Sequence, residues 1–211
     1  MSGADDCQLY LITPPSMEPP PFAERLKAAL GAGPVACLQI RLKDVDDDEV
    51  RKATEVILPV CHEYAVPVLM NDRPDLAFAT GCDGVHIGQD DVPYSQARRI
   101  LGPDAMIGVT CKKSRHLAIE AAEKGANYVA FGAFFPTETK AGTVRADPKI
   151  VAWWSEVSTT PSVAIGGITA ENCGALVDSG VDFLAVIGGV WNHPDGEAAS
   201  IRAFGKAMAR A

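Results

Sequence analysis

The sequence predicts one α/β domain over residues 1–211, a (β/α)8 TIM barrel. Eight short apolar runs recur along the chain, and stretches with helical spacing separate them. A length of 211 residues fits eight compact units of this kind. An open doubly wound sheet is the competing architecture. Such sheets have about five or six strands, so the count favours the barrel, and no G-x-G-x-x-G follows the first run.

The runs are Gln8–Thr13, Val35–Arg41, Pro67–Asn71, Gly84–Gly88, Met106–Thr110, Tyr128–Phe134, Ser162–Gly166 and Phe183–Gly188. Each is nearly continuous in apolar residues, the pattern of parallel strands covered on both faces. Between them, Asp47–Tyr64, Ser114–Lys124, Thr169–Ser179 and Ala198–Ala209 read as helices. In the first, Val50, Ala53, Ile57, Val60 and Cys61 recur at helical spacing, and the acids from Asp44 to Glu49 lead into it. Thr169-Ala-Glu-Asn has the form of a helix N-cap. Pro19-Pro20-Pro21 fixes a turn or opens a helix. The Trp153-Trp154 pair reads as helix packing.

Composition narrows the function. The net charge is −8, which argues against a nucleic-acid or anionic-lipid partner, since those need a basic face. No apolar run reaches the roughly 18 residues of a membrane span. The amino-terminal residues carry no basic group ahead of an apolar stretch, so no secretory signal is expected. Six cysteines are spread along the chain with no C-x-x-C pair, as expected of reduced thiols in a cytoplasmic protein. The histidines show no zinc spacing.

In a barrel, chemistry sits at the carboxyl ends of the strands. Three groups of residues gather there. Gly166-Gly167 and Gly188-Gly189 end the last two strands, the usual phosphate position, with a helix amino terminus expected at Ile168-Thr169. The glycines could equally serve only tight turns. Asp72 and Asp91 follow neighbouring strands, and two carboxylates with open water positions suit Mg²⁺ shared with substrate phosphates. Their plainer reading is an ion pair of Asp72 with Arg73 and a helix cap at Asp90 or Asp91. Arg41, Lys43 and Lys140 stand at strand ends of an otherwise acidic chain, where cations bind a polyphosphate. Together these point to diphosphate chemistry assisted by Mg²⁺.

Four segments carry a family resemblance. They are Asn71-Asp72-Arg73-Pro74-Asp75-Leu76-Ala77, Asp83-Gly84-Val85-His86-Ile87-Gly88-Gln89-Asp90-Asp91-Val92-Pro93, Phe135-Pro136-Thr137-Glu138-Thr139-Lys140 and Val163-Ala164-Ile165-Gly166-Gly167-Ile168. In this order and spacing the chain resembles the thiamine phosphate synthases, also called thiamine-phosphate pyrophosphorylases, from about Leu9 to Phe204. The resemblance implies a cytoplasmic transferase. It would join an aminopyrimidine methyl diphosphate to a thiazole phosphate, and diphosphate would leave before the thiazole nitrogen attacks. Carried over by motif, Asp72 and Asp91 would hold Mg²⁺. Arg41, Lys43, Asn71 and Lys140 would hold the diphosphate, and Gln39 would face the pyrimidine. Thr137, Thr139, Gly167, Ile187 and Gly188 would contact the thiazole phosphate, and Thr110 would stand where the family usually has Ser.

Three departures stand out. Thr110-Cys111-Lys112 replaces Ser-x-His, Ala133 replaces a common Pro, and Gly188 replaces a Ser. A related thiazole tautomerase and a non-catalytic phosphate-binding barrel are the alternatives. The tautomerase type typically lacks both acids and uses a His near the end of strand five. A degenerate binder need not keep Arg41, Lys43, Asp72, Asp91 and Lys140 together. His86 is expected to serve the strand end structurally rather than as a general base. Residues 141–146 hold a Gly and could form a lid.

Overall fold

The computed structural model describes residues 7–136 and 145–209. Its strands are β1 (Gln8–Ile12), β2 (Cys37–Ile40), β3 (Val68–Asn71), β4 (Gly84–Ile87), β5 (Met106–Lys112), β6 (Tyr128–Gly132), β7 (Ser162–Ile165) and β8 (Phe183–Val186). They form a closed barrel in sequence order, every pair parallel, with β1 sealing against β8. The helices are α1 (Pro19–Leu30), α2 (Asp47–Glu63), α3 (Pro74–Thr80), α4 (Tyr94–Leu101), α5 (Arg115–Glu123), α6 (Lys149–Val157), α7 (Gly174–Val177), α8 (Gly188–Trp191) and α9 (Glu197–Met208).

Strand parity divides the core in two. Leu9, Leu11, Leu38, Ile40, Val68, Met70, Val85, Ile87, Ile107, Val129, Phe131, Leu184 and Val186 belong to the larger cluster, packed beneath the helices. The alternate residues Tyr10, Ile12, Cys37, Leu69, Tyr128, Ala130, Val163 and Ala185 form a second cluster, the barrel interior. A Cβ at Gly108 would lie 1.9 Å from Cζ of Tyr128, so the glycine leaves room for that ring. The Tyr128 and Tyr10 hydroxyls meet at 2.8 Å, which satisfies two buried polar groups. Continued toward the strand ends, the inward parity runs to Gln39 and Arg41, Asn71, His86 and Thr110. That alternation is what carries polar side chains into the barrel mouth.

Local chemistry explains the starts of the two longest helices of the first half, α2 and α1. Asp46 accepts from Glu49 N at 2.9 Å while the Glu49 carboxylate accepts from Asp46 N at 3.2 Å, a capping box for α2. The triple proline supplies the first turn of α1. Trp154 is buried at the back of α6, and its indole N–H donates to Thr160 O.

The expected helix over Thr169–Ser179 shrinks to Gly174–Val177. Asn172 is the cause. Its Oδ1 accepts from Thr169 N at 2.9 Å and its Nδ2 donates to Gly167 O at 2.9 Å, which folds 167–172 into a side-chain-closed turn. No helix amino terminus therefore stands at Ile168-Thr169. The helix end nearest these loops is Gly188, at the start of α8. Strand β5 runs two residues past its expected end, with a register shift between Thr110 and Lys112.

Candidate active site

Most of the expected site residues that the structure describes meet at the carboxyl end of the barrel. Gln39 is buried, and its Nε2 donates to Asn71 Oδ1 at 3.0 Å. The backbone N–H of Arg41 donates to the hydroxyl of Thr13, a fully buried threonine just past the end of β1. This bond ties the chain just past β2 to the chain just past β1. Nη1 of Arg41 is buried and has no hydrogen-bond partner among the described residues. Burial weakens the guanidinium's hold on its proton, and the nearby Asp72 opposes that effect. An enclosed, unsatisfied guanidinium donor is a costly group for a protein to keep, and an oxyanion satisfies it.

Asp72 sits in a tight turn. Arg73 N donates to Asn71 O at 2.8 Å, and Asp72 between them has φ 63°. Positive φ is uncommon outside glycine, and such residues cluster at functional sites. The turn points the carboxylate away from Arg73, which pairs instead with Asp47 at 2.8 Å and Asp75 at 2.6 Å. The plainer Asp72–Arg73 pairing is thus overturned. Asp72 faces the Lys43 ammonium at 3.6 Å and lies within hydrogen-bonding reach of Asp91. Burial pushes the Asp72 carboxyl above the ordinary carboxylate range, and Asp91 pushes it further.

Asp91 caps no helix, because α4 begins at Tyr94 behind Pro93. Its Oδ2 accepts from Gly88 N at 2.7 Å. A Cβ at Gly88 would stand 3.0 Å from that oxygen. Two carboxylates forced together, flanked by an ammonium and a guanidinium, fit a hard divalent cation with open water positions. Among the described residues no group of three or more acidic, histidine or cysteine side chains is placed to hold a metal ion.

Behind the pair lies a chain of hydrogen bonds that the sequence did not announce. His86 Nε2 is 2.7 Å from Thr110 Oγ1, and Nδ1 is 2.8 Å from the Tyr128 hydroxyl. Burial pushes the imidazole down to about 4, so it is neutral at pH 7. Both ring nitrogens are engaged, so the imidazole bridges Thr110 and Tyr128. Gln89 Nε2 donates to Thr110 O at 2.6 Å. Thr13, Gln89 and Tyr128 are the members that sequence reading missed. Gln89 lay inside a quoted motif, but Thr13 and Tyr128 carried no local signal. Lys112, at the position of the family's His, is exposed and lies 3.9 Å from Asp90.

The glycine pairs divide. A Cβ at Gly166 would lie 2.4 Å from Cβ of Ala133, and one at Gly167 would lie 2.2 Å from Pro136 O. One at Gly189 would lie 2.4 Å from Ile168 O. Close packing therefore accounts for these three. Gly188 is different, because its Cβ would meet only Asn192 Nδ2, at 3.3 Å. Ile187 stands at the cap of the short helix that Gly188 begins. Thr137, Thr139, Lys140 and positions 141–144 of the expected lid lie outside the described residues. Ala146 N donates to Ala133 O at 2.8 Å, tying the far end of that segment to the end of β6.

A closed parallel barrel with converging cations and acids at its strand ends defines a barrel enzyme of the phosphate-handling kind. The comparisons make this particular. A family described as thiamine monophosphate synthase matches residues 9–190, and the chain belongs to it. The thiamine-phosphate synthase of Rhodospirillum centenum is 58% identical over 203 residues, 96% of this chain and 98% of that one. The thiamine-phosphate synthase of Hyphomonas neptunium is 50% identical over 202 residues, covering 93% and 91% of the two chains. The solved thiamine phosphate pyrophosphorylase from Pyrococcus furiosus superposes with a TM-score of 0.85 at 29% identity, over 98% of each chain. The activity is that of a thiamine-phosphate synthase, a transferase of thiamine biosynthesis.

Proposed function

We propose that the substrates are an aminopyrimidine methyl diphosphate and a thiazole phosphate, and that Asp72 and Asp91 hold Mg²⁺. The observation that carries the reading is the Asp72–Asp91 pair set beside Lys43 and Arg41. Bound there, Mg²⁺ neutralises charge that builds on the departing diphosphate.

The protein's own groups do the rest. Arg41 and Lys43 bind the diphosphate oxygens, with Asn71 held in place by Gln39. Gln39, on the inward parity of β2, faces the pyrimidine. The bond between the pyrimidine methylene and the diphosphate oxygen breaks, and the electron pair leaves with the diphosphate. The thiazole nitrogen then bonds to the methylene and takes the positive charge as a thiazolium. Thr110, fixed by His86, donates its hydroxyl to the leaving oxygens. On motif grounds Lys140 joins the diphosphate, while Thr137 and Thr139 join Gly167, Ile187 and Gly188 around the thiazole phosphate. The six cysteines are free thiols, which supports a reducing, cytoplasmic setting.

The test is pyrophosphate release with both substrates, with and without Mg²⁺. Release that needs Mg²⁺ and both substrates, matched by thiamine phosphate, is expected. Release unaffected by EDTA would overturn the metal assignment. Thiamine phosphate formed from other partners would overturn the substrates.

A further inference from the structure

A second concentration of positive charge lies at the strand-end face, between the starts of α5 and α6. Lys113, Arg115, Arg145 and Lys149, with Asp147 and Ile150, line a cavity of about 340 Å³. Lys113 and Arg115 follow β5, and the other two cations enter α6. Four cations meet one carboxylate in a chain whose net charge is −8. None of the four has a carboxylate within 4 Å among the described residues. The Arg115 guanidinium lies 4.5 Å from the centre of the Trp153 ring, which holds it in place. Asp147 is engaged, its Oδ1 accepting from Lys149 N at 3.0 Å.

The position of these cations works against local stability. Arg115 and Lys149 are the first residues of α5 and α6, and neither helix has an acid in its first turn. Helix amino termini already carry partial positive charge, so a cation there is unfavourable. Two helices with the same unfavourable placement open on the same concave space. A multivalent anion in that space reverses the balance for both helices and all four cations. The cavity is at the small end of ligand pockets, which suits a compact anion and not a nucleotide.

We propose that this cavity, between the starts of α5 and α6, is a second anion site, which takes inorganic diphosphate. For the source of its ligand the proposal rests on the pyrophosphate-releasing reaction above; the site itself does not. It differs from the mouth in chemistry. With four cations and no carboxylate pair, it binds diphosphate without Mg²⁺.

The experiment is calorimetric titration of the full chain with inorganic pyrophosphate in EDTA at low salt. An Arg41→Gln variant, weakened at the mouth, is expected to keep one equivalent of binding. Adding Lys113→Gln and Lys149→Gln should weaken that binding about tenfold or more, the scale of one lost charge-assisted contact. These two changes leave the Arg115–Trp153 stack intact. Placed alone in the native protein, they should preserve turnover when a pyrophosphatase removes product. Orthophosphate should bind more weakly than pyrophosphate. Four results overturn the proposal: no binding to Arg41→Gln, unchanged binding to the triple variant, lost turnover in the double variant, or orthophosphate binding as tightly as pyrophosphate. The titration needs no catalysis, so its failure is separable from failure of the substrate assignment.

Discussion

His86 Nε2 lies 2.7 Å from Thr110 Oγ1, and it is held there by a residue 42 positions further along the chain, Tyr128. A neutral imidazole bonded on both sides fixes the threonine hydroxyl and resists protonation.

That resistance makes His86 a source of acid sensitivity. Its folded value is about 4, against an ordinary 6.5. Between those values the unfolded chain binds the proton that the fold refuses, so stability rises with pH across that window. Stability should fall by up to about 3 kcal/mol from pH 7 to pH 4 through this residue alone. Urea melts at pH 7 and pH 5 should show a smaller pH dependence for His86→Asn than for the parent. Equal dependence in both would refute the assignment.

Asp91→Asn keeps an acceptor for Gly88 N but removes a charge. Turnover should drop about 10²-fold or more, the Mg²⁺ requirement should rise, and the circular dichroism spectrum should not change. Parent-like turnover at ordinary Mg²⁺ would remove Asp91 from the metal site.

Asp72→Asn should separate stability from activity. The folded carboxyl titrates above its ordinary value because of burial and Asp91. The fold therefore favours the protonated form, and the charged form is a cost above the raised value that is relieved as pH falls. In EDTA at neutral pH the Asn variant should melt higher than the parent while losing turnover. A lower melting temperature would show that Lys43 outweighs the crowding.

Gly166→Ala should damage the fold. The added Cβ would stand 2.4 Å from Cβ of Ala133, at a φ of 108°. The expected loss is about 2–5 kcal/mol, read as a fall in melting temperature. Gly188→Ser should behave oppositely, since its Cβ meets only Asn192 Nδ2 at 3.3 Å. It should fold normally and lower the KM for the thiazole phosphate.

The barrel was legible because parallel strands covered on both faces read as apolar runs, and eight of them leave few alternatives. Arg41 was legible as a site residue because a cation at a strand end stands out in a chain of net charge −8. Other features depend on partners far away in the chain. The link from Tyr10 through Tyr128 to His86 spans the barrel, and no local pattern encodes it. The helix expected from Thr169 failed because one side chain, Asn172, offered the backbone a better-bonded turn. The positive φ of Asp72 was likewise invisible, since an Asp before Arg-Pro reads as an ordinary ion pair or cap.

The seam between β1 and β8 has a consequence for the chain as it is made. Leu9, Tyr10 and Leu11 find their partners in Leu184, Ala185 and Val186, at the far end of the sequence. Until the ribosome has released that last strand, the first one keeps an open edge of unpaired amides and carbonyls beside apolar side chains. Closure is thus a late event of synthesis, dominated by contacts of very long sequence separation. A chain stalled before residue 183 should be a substrate for chaperones and proteases, not a partly working enzyme.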